Sequence, residues 1–335
     1  MITLDWRPTY PGIASAFGYS THQKNLRRAL EKAGVVIDEK ANIAVHIWPP
    51  YFFNLLRFKI NILTTTWEYD HLPEQWGYVL DKAQLIIVTC RHNYEVFSKL
   101  TDRPIEICPE GVDPEKFPYV KREMKEPFVF LYLGDDNPRK GTHHIALAWN
   151  MWNERYPEYA RNTILIMKMT SYGKEQKIMQ MTENSYADYR VLPLTEDQHP
   201  DWPTLGALYA YANAFLFPSM GEGWGLPLSE AMSTGLPCIY TPQGGPLDYA
   251  SAEYAYPVEY GPKELIVTSP FAGNIGPLIA ADPKVESIVE QMHSIYTDYD
   301  TALDKGKTAA AAMRAWFTWD LAAKKYIEIL KRHVL

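Results

Sequence analysis

Two successive sets of short apolar runs, separated by longer amphipathic stretches, most constrain what this chain can fold into. One set ends before residue 110, and the pattern restarts near residue 128 after a segment rich in proline, glycine and charge, residues 110–118. Short β-branched runs that alternate with helical periods predict α/β units with parallel sheets. A chain of 335 residues also exceeds the size of one typical core. We therefore predict two α/β domains, with a boundary after residue 118.

The strand predictions come from these runs. In the first domain they are residues 1–6, 43–47, 60–66, 85–89 and 105–108. In the second domain they are residues 128–133, 163–169, 189–192, 214–217 and 237–240. The predicted helices are residues 23–33, 93–100, 142–155, 204–212, 228–234 and 285–298. Doubly wound sheets of this kind bind ligands at the carboxyl ends of their strands, so we expect the site in a cleft there.

Composition excludes several classes of protein. The formal net charge of −7 argues against a generally basic surface for nucleic acid. The three cysteines are far apart and odd in number, which is typical of reduced thiols and not of a disulfide frame or a metal site. The first residues lack the pattern of a signal peptide, and no apolar run approaches the length of a membrane span. We predict a cytoplasmic protein.

One basic helical face is compatible with peripheral membrane contact. Lys24, Arg27 and Arg28 share a face of the first predicted helix. Such a face can meet anionic lipid, but about 1 kcal/mol per charge gives only weak, reversible binding. A solvated surface explains the three charges equally well, and we favour that interpretation.

The segment PSMGEGWGLPLSEAMSTGLP, residues 218–237, carries the strongest chemical signal. It follows a predicted buried strand and leads into a predicted helix, so its glycines lie on a strand-to-helix turn. Backbone N–H groups at such a turn suit an anion, and glycines let a ligand approach the main chain. Glu222 does not suit a phosphate and is expected to accept hydrogen bonds from hydroxyls. Glu230, eight residues later, could hold a second diol such as ribose. Together these features predict a site for a nucleotide-sugar.

This segment resembles the E-x7-E region of retaining glycosyltransferases with the GT-B fold, in particular the large family four. Other segments agree in order, among them LYLGDDNPRKGTHHIALAW, LGALYAYANAFLFPS and FTWDLAAKKYIEIL. The resemblance covers the chain from about residue 83 to its end well and residues 1–82 only weakly. It implies two Rossmann-like domains across a cleft, residues 1–118 for the acceptor and 119–315 for the donor. It also implies a C-terminal helix, residues 316–335, that packs back on the first domain, and Thr318 or Asp320 is its candidate cap.

The resemblance also implies roles for individual residues. Glu222 would bind hydroxyls of the donor sugar, and Glu230 would bind the ribose. Arg139 and Lys140 would neutralise the diphosphate, so that no metal or other cofactor is needed. The backbone that would hold the diphosphate or sugar belongs to Gly223, Trp224, Gly225 and Leu226.

One departure from the family concerns the residues after the strand at 128–133. Many relatives carry Gly-Arg there, whereas Gly134 is followed in this chain by Asp135 and Asp136. Either Arg139 or Lys168 could supply the missing positive charge. Lys168 interrupts an otherwise apolar strand, and it could equally point outward to solvent.

In the first domain the signals are less specific. The family has a glycine-rich loop facing the donor phosphates, for which Gly18 and Gly12 are the candidates, although a plain turn explains them equally well. Glu68 follows a predicted strand, in a position where relatives place a residue near the reacting sugar. It is our candidate for orienting the acceptor or stabilising the oxocarbenium ion. His71 is more typical of a surface or capping residue.

The function that the resemblance implies is retaining transfer of a hexose from a UDP- or GDP-linked donor to an acceptor hydroxyl. The acceptor could be a glycan, a lipid-linked sugar or another biopolymer. Alternatives are a GT-B relative of other chemistry, such as a sugar-phosphate synthase or an NDP-sugar epimerase, and a non-catalytic subunit that binds a nucleotide-sugar or glycan.

Overall fold

The chain forms two parallel six-stranded sheets and one antiparallel hairpin. The computed structural model describes residues 2–7, 17–53, 55–134, 137–169, 191–194, 204–269 and 273–335. The first sheet has the strand order β2-β1-β3-β4-β5-β6, and the second has the order β12-β11-β10-β7-β8-β9. Every strand pair in both sheets is parallel. The predicted pair of doubly wound α/β sheets is therefore confirmed.

The strands of the first sheet are β1 (Thr3–Arg7), β2 (Val36–Ile37), β3 (Ile43–Ile47), β4 (Ile60–Thr65), β5 (Leu85–Val88) and β6 (Ile105–Ile107). Those of the second sheet are β7 (Phe128–Gly134), β8 (Thr163–Met169), β9 (Val191–Leu194), β10 (Ala214–Phe217), β11 (Cys238–Tyr240) and β12 (Tyr256–Pro257). The hairpin consists of β13 (Tyr260–Ser269) and β14 (Gly273–Pro283). The sequence patterns located the inner strands well but gave no prediction for the hairpin or for the short edge strands β2 and β12.

Ten α-helices lie among the described residues: α1 (Phe17–Lys32), α2 (Gly77–Leu80), α3 (Arg91–Phe97), α4 (Thr142–Arg155), α5 (Pro157–Ala160), α6 (Leu205–Tyr211), α7 (Leu226–Ser233), α8 (Val285–Thr297), α9 (Tyr299–Trp316) and α10 (Trp319–His333). No helix in this part of the chain is both long and apolar enough to cross a membrane. The three cysteines are free and buried.

Apolar residues on both faces of the central strands explain why the sheets are covered by helices on each side. All residues of β3, β5 and β10 are buried, and these strands read IAVHI, LIIV and AFLF. Parallel strands that are hidden on both faces need such continuous apolar runs. The carboxyl ends of the two sets of strands, with their polar loops, are thereby left free to form a site.

The C-terminal helix α10 packs on the first sheet, as the resemblance implied. Tyr326, fully buried, shares a hydrogen bond of 2.8 Å with Thr64 at the end of β4. Lys32 on α1 donates a hydrogen bond of 2.6 Å to Asp320. The cap of α10 is Thr318 and not Asp320, because the Thr318 side chain accepts a hydrogen bond from the backbone of Leu321. The last helix therefore ties the end of the chain to the first sheet.

The hairpin also links the two halves of the molecule. Ile275 and Leu278 belong to one apolar cluster with Trp67 and Leu72, which follow β4 of the first sheet. The Asp70 carboxylate accepts a hydrogen bond of 2.7 Å from the backbone N–H of Ile279. The loop after β4 is thus held against the hairpin on one side of the cleft.

Candidate functional site

A cavity of about 410 Å³ lies between the carboxyl ends of the two sheets. Its walls come from the start of α1, the loops after β3 and β4, the end of β7, the turn that follows it, and residues 222–227. The volume falls within the usual range for a small-molecule site, about 300–1,000 Å³. The cleft predicted from the sheet pattern is therefore present and is lined by loops of both sheets.

The turn before α4 is built so that two cations point into this cavity. Asn137 caps it by accepting a hydrogen bond of 3.0 Å from the backbone of Arg139. Gly141 has a φ of +74°, and a Cβ there would lie 2.1 Å from the carbonyl oxygen of Pro218, so only glycine fits. The backbone N–H of Met220 donates a hydrogen bond of 2.7 Å to the Arg139 carbonyl. The turn is thereby fixed against the loop that carries Glu222.

Glu222 is the acid at the centre of the charged cluster. Its Oε1 atom accepts hydrogen bonds of 2.6 Å from Lys140 and 2.6 Å from Ser219, and it lies 3.5 Å from the Arg139 guanidinium. Burial by itself would raise the pKa of Glu222, but the charges of Lys140 and Arg139 hold this pKa below its ordinary value. Burial and the Arg139 charge lower the pKa of Lys140, against the opposing effect of Glu222. Glu222 is therefore ionised and neutralised by two cations.

Arg139 connects the two sides of the cleft. Its guanidinium lies 3.2 Å from the Glu68 carboxylate, which follows β4 of the first sheet. It also donates a hydrogen bond to the carbonyl of Gly221. The sequence-predicted residues Arg139, Lys140, Glu222 and Glu68 thus form one cluster of alternating charge.

Two glycines of the 221–225 loop have a packing role that the sequence did not predict. A Cβ on Gly223 would lie 1.7 Å from Thr66 Oγ1, and a Cβ on Gly221 would lie 2.3 Å from the Glu68 carbonyl oxygen. The Gly223 carbonyl accepts a hydrogen bond of 2.8 Å from Thr89. Because these two residues have no side chain, the loop after β4 of the first sheet can pack directly against them. The two loops are distant in sequence, so local sequence does not reveal this contact.

The other residues whose backbone was predicted to hold the ligand, Trp224, Gly225 and Leu226, lie at the start of α7. Gly225 has a φ of +94°, which explains the glycine, and Leu226 begins the helix. Trp224 is buried at the cavity wall, and its indole Nε1 has no hydrogen-bond partner among the described residues. A buried indole donor without a partner is uncommon, so a ligand acceptor in the cavity would satisfy it.

Glu230 lies one turn further along α7 than the residues that wall the cavity. It is buried and accepts a hydrogen bond of 3.3 Å from the Tyr209 hydroxyl. Burial raises its pKa to about 8, and the nearby Glu110 adds to this effect. The acid is thus predominantly protonated at neutral pH, so it can donate a hydrogen bond as well as accept one.

The other predicted residues are placed as follows. Gly18 lies in the first turn of α1 at the cavity wall, and a Cβ there would meet no atom within 4 Å. Lys168 pairs in register with Leu133 on the neighbouring strand and is half-buried. His71 is exposed and lies 3.0 Å from Asp70. Gly12, Asp135 and Asp136 lie outside the described residues.

The sequence interpretation missed three polar residues of the cleft. Ser219 holds Glu222, and Tyr19 donates a hydrogen bond of 2.8 Å to the Thr66 carbonyl. Glu110, interpreted as part of a linker, is buried at the cavity wall and lies 2.6 Å from His22. The hydroxyls of Ser219 and Tyr19 gave no signal of their own, because their partners are brought near only by the fold.

Parts of the chain are similar in sequence to known glycosyltransferases. Residues 197–310 match the family model described as "Glycosyl transferases group 1". The O-antigen chain mannosyltransferase RfbU of Salmonella typhimurium is 29% identical over 124 residues, which are 37% of this chain and 32% of RfbU. The D-inositol 3-phosphate glycosyltransferase of Corynebacterium urealyticum is 26% identical over 181 residues, 53% of this chain and 39% of that protein. The matches thus span less than half the length of these curated relatives.

Solved structures show the same fold at low sequence identity. Anabaena HepE, solved in complex with UDP and glucose, has a TM-score of 0.68 at 12% identity and covers 99% of this chain and 100% of its own. Sucrose-phosphate synthase from Thermosynechococcus elongatus has a TM-score of 0.65 at 17% identity, covering 94% of this chain and 78% of its own. The predicted resemblance to group 1 glycosyltransferases is confirmed, because residues 197–310 match the family model and the chain has the GT-B fold.

Proposed function

We propose that this chain is a retaining glycosyltransferase that moves a hexose from an NDP-sugar to an acceptor hydroxyl. The observation that carries the proposal is the cluster of Arg139, Lys140 and Glu222 in the cavity between the two sheets. It combines two cations for a diphosphate with one acid for sugar hydroxyls. The group 1 domain at residues 197–310 is consistent with this chemistry.

The two cations are the centre of the proposed reaction. As the glycosidic bond breaks, negative charge grows on the departing nucleoside diphosphate. Fixed cations in a partly buried site stabilise such charge without having to reorganise. We propose that Arg139, and not Lys168, replaces the arginine that relatives carry at residue 135, because Arg139 lines the cavity. With Lys140 beside it, the reaction needs no metal ion.

The acids would then have roles that depend on the donor. With no donor bound, Glu222 and Glu68 are neutralised by Lys140 and Arg139. A diphosphate would compete for these cations and release Glu222 to accept hydrogen bonds from the sugar hydroxyls. Glu68, on the opposite wall, would orient the acceptor or stabilise the oxocarbenium ion. Glu230 would bind the ribose, and the backbone at residues 223–226 would hold the diphosphate or sugar.

No carboxylate is proposed as the nucleophile. In front-face attack, an oxygen of the donor phosphate takes the proton of the acceptor hydroxyl as the new bond forms on the same face. The protein then contributes position and charge. The acceptor proposed is a glycan or lipid-linked sugar, since curated relatives include O-antigen chain mannosyltransferases. A UDP- or GDP-linked hexose is the proposed donor class, and HepE was solved with UDP and glucose.

A thermal-shift screen against UDP- and GDP-sugars tests the proposal. A ligand at 100 times its Kd stabilises the native state by about 2.7 kcal/mol, which is easily measured. The stabilising donor is then incubated with candidate acceptors, and free nucleoside diphosphate is measured. Release that depends on the acceptor supports transfer, whereas release without an acceptor indicates another GT-B chemistry. Stabilisation by no nucleotide-sugar would favour a non-catalytic protein.

A further inference from the structure

A second cluster of ligating side chains lies where the hairpin meets α4, outside the wall of the cleft cavity. His143 and His144 occupy the first turn of α4, directly after the turn that carries Lys140. Asp282 lies near the end of β14, and Lys263 lies on the facing strand β13. Two elements distant in sequence therefore bring two imidazoles and a carboxylate to one place.

The distances in this cluster suit one shared ion. One ligand atom from each of His143, His144 and Asp282 lies within 4.8 Å of the other two. The His144 Nε2 atom is 3.0 Å from Asp282 Oδ1, and the two imidazole rings have centroids 3.9 Å apart. Two ligands of one tetrahedral zinc ion lie roughly 3.4 Å apart, given metal–ligand bonds of about 2.1 Å. The side chains therefore need to move by about an ångström to share an ion.

Burial supplies a second and independent observation. The His144 side chain is only 5% exposed, and its Nδ1 atom has no hydrogen-bond partner among the described residues. Buried polar atoms normally have partners, and an exception often marks the place of a missing ion or water. With Nε2 on the ion, the Nδ1 atom of His144 would donate its hydrogen bond to a separate water, because the two ring nitrogens point in different directions.

We propose that His143, His144 and Asp282 bind a borderline transition-metal ion such as Zn²⁺, which pins the β13–β14 hairpin to the start of α4. Imidazole and carboxylate ligands favour zinc-like ions over magnesium or calcium, which prefer oxygen alone. Three protein ligands leave one position for water. The ion stabilises the contact between the hairpin and α4 and takes no part in the proposed sugar transfer.

Lys263 is an internal competitor for this ion. Its ammonium lies 3.0 Å from Asp282 Oδ1, so it neutralises the carboxylate in the absence of metal. A metal ion must displace it, and the positive end of α4 also opposes a cation. Both effects predict micromolar and not nanomolar affinity. They also give the proposal a distinctive consequence, because removing the Lys263 charge must strengthen metal binding.

Titration calorimetry of the metal-stripped 335-residue chain with ZnCl₂ tests the proposal. We expect one site in the micromolar range and a rise in Tm with Zn²⁺. His143→Ala and Asp282→Asn, both at incompletely buried positions, should weaken binding at least tenfold, and Lys263→Met should strengthen it. His293→Ala is the matched control, since His293 stacks on Tyr156 at 4.4 Å and should leave the affinity unchanged.

Two results would overturn the site. One is the absence of a Zn²⁺ heat or Tm shift in the unmodified chain. The other is equal binding by the unmodified chain and by folded His143→Ala and Asp282→Asn, each checked by circular dichroism. Because the readout is metal binding, failure here leaves the nucleotide-sugar proposal untouched, and failure of that proposal leaves this site untouched.

Discussion

Replacing Lys140 by methionine tests the charged cluster most directly. The change removes the ammonium that contacts Glu222 at 2.6 Å and keeps most of the side-chain volume. At an effective dielectric constant of about 20, this contact provides about 6 kcal/mol of Coulomb attraction. On the same basis the Arg139 contact, at 3.5 Å, provides about 5 kcal/mol. Both are gross figures, because burying the charges opposes them.

The expected loss of stability follows from these two contacts. Removing the only partner of a buried charge typically costs about 3–5 kcal/mol. Arg139 and Ser219 still neutralise and bind Glu222 in the variant, so we expect a decrease in the free energy of unfolding of about 2 kcal/mol, measured by urea denaturation. The pKa of Glu222 should rise toward its ordinary value, because the Lys140 charge lowers it.

The expected loss of activity is larger. Loss of one charge-stabilising donor lowers turnover by about 100- to 1,000-fold in comparable sites. The double variant Lys140→Met/Glu222→Gln should regain most of the stability, because it leaves no underpaired carboxylate, but it should not regain turnover. Lys284→Met is the matched control, since Lys284 forms an exposed pair with Glu259, and it should change stability by less than about 1 kcal/mol.

The assay is acceptor-dependent release of nucleoside diphosphate at saturating donor. Turnover by Lys140→Met within tenfold of the unmodified chain would refute the role of Lys140 at the diphosphate. Recovery of turnover in the double variant would show that Lys140 serves only to neutralise Glu222.

Three further predictions concern packing and titration. Gly223→Ala should destabilise the fold by about 1–3 kcal/mol through overpacking, because the new Cβ would lie 1.7 Å from Thr66 Oγ1. In urea denaturation, Gly223→Ala should cost less in a Thr66→Gly background than in the unmodified chain, and an equal cost in both would contradict the proposed contact. Glu230 has a pKa of about 8 when folded against an ordinary 4.5, so stability should fall as pH rises between these values. The Tm of Glu230→Gln minus the Tm of the unmodified chain should therefore increase as the pH rises from 5 to 8. A Tm difference that stays constant over this range would disprove the raised pKa of Glu230. Tyr326→Phe removes the hydrogen bond of 2.8 Å to Thr64. It should lower the free energy of unfolding, measured by urea denaturation, by about 1 kcal/mol. No change would show that this hydrogen bond adds no net stability.

The strands and helices that were predicted correctly are those with a regular pattern of apolar residues over a few positions. Continuous apolar runs marked the buried strands, and alternating helical periods marked the parallel connections. The pairing of glycine and acid at residues 221–230 and the basic pair before α4 likewise depend on residues close in sequence. Together with the resemblance to the family, these signals predicted a site that includes Arg139, Lys140 and Glu222.

Local pattern failed where the fold joins distant segments. Glu110 belongs to a stretch with the composition of a linker, yet it is buried at the cavity wall against His22. The hairpin strands contain glycine and proline, so their alternation was weak, and their stability comes from packing against Trp67 and its neighbours.

The sequence by itself determined two α/β sheets and the chemical character of the loops at their carboxyl ends, because periodicity and turn residues act over a few positions. Only the tertiary structure decided which of those loops touch. It placed Glu68 on Arg139, it closed the first-sheet loop on Gly223, and it brought His144 to Asp282. Such contacts join residues from 71 to 157 positions apart, and they depend on how the sheets face each other, a relation that no local pattern encodes.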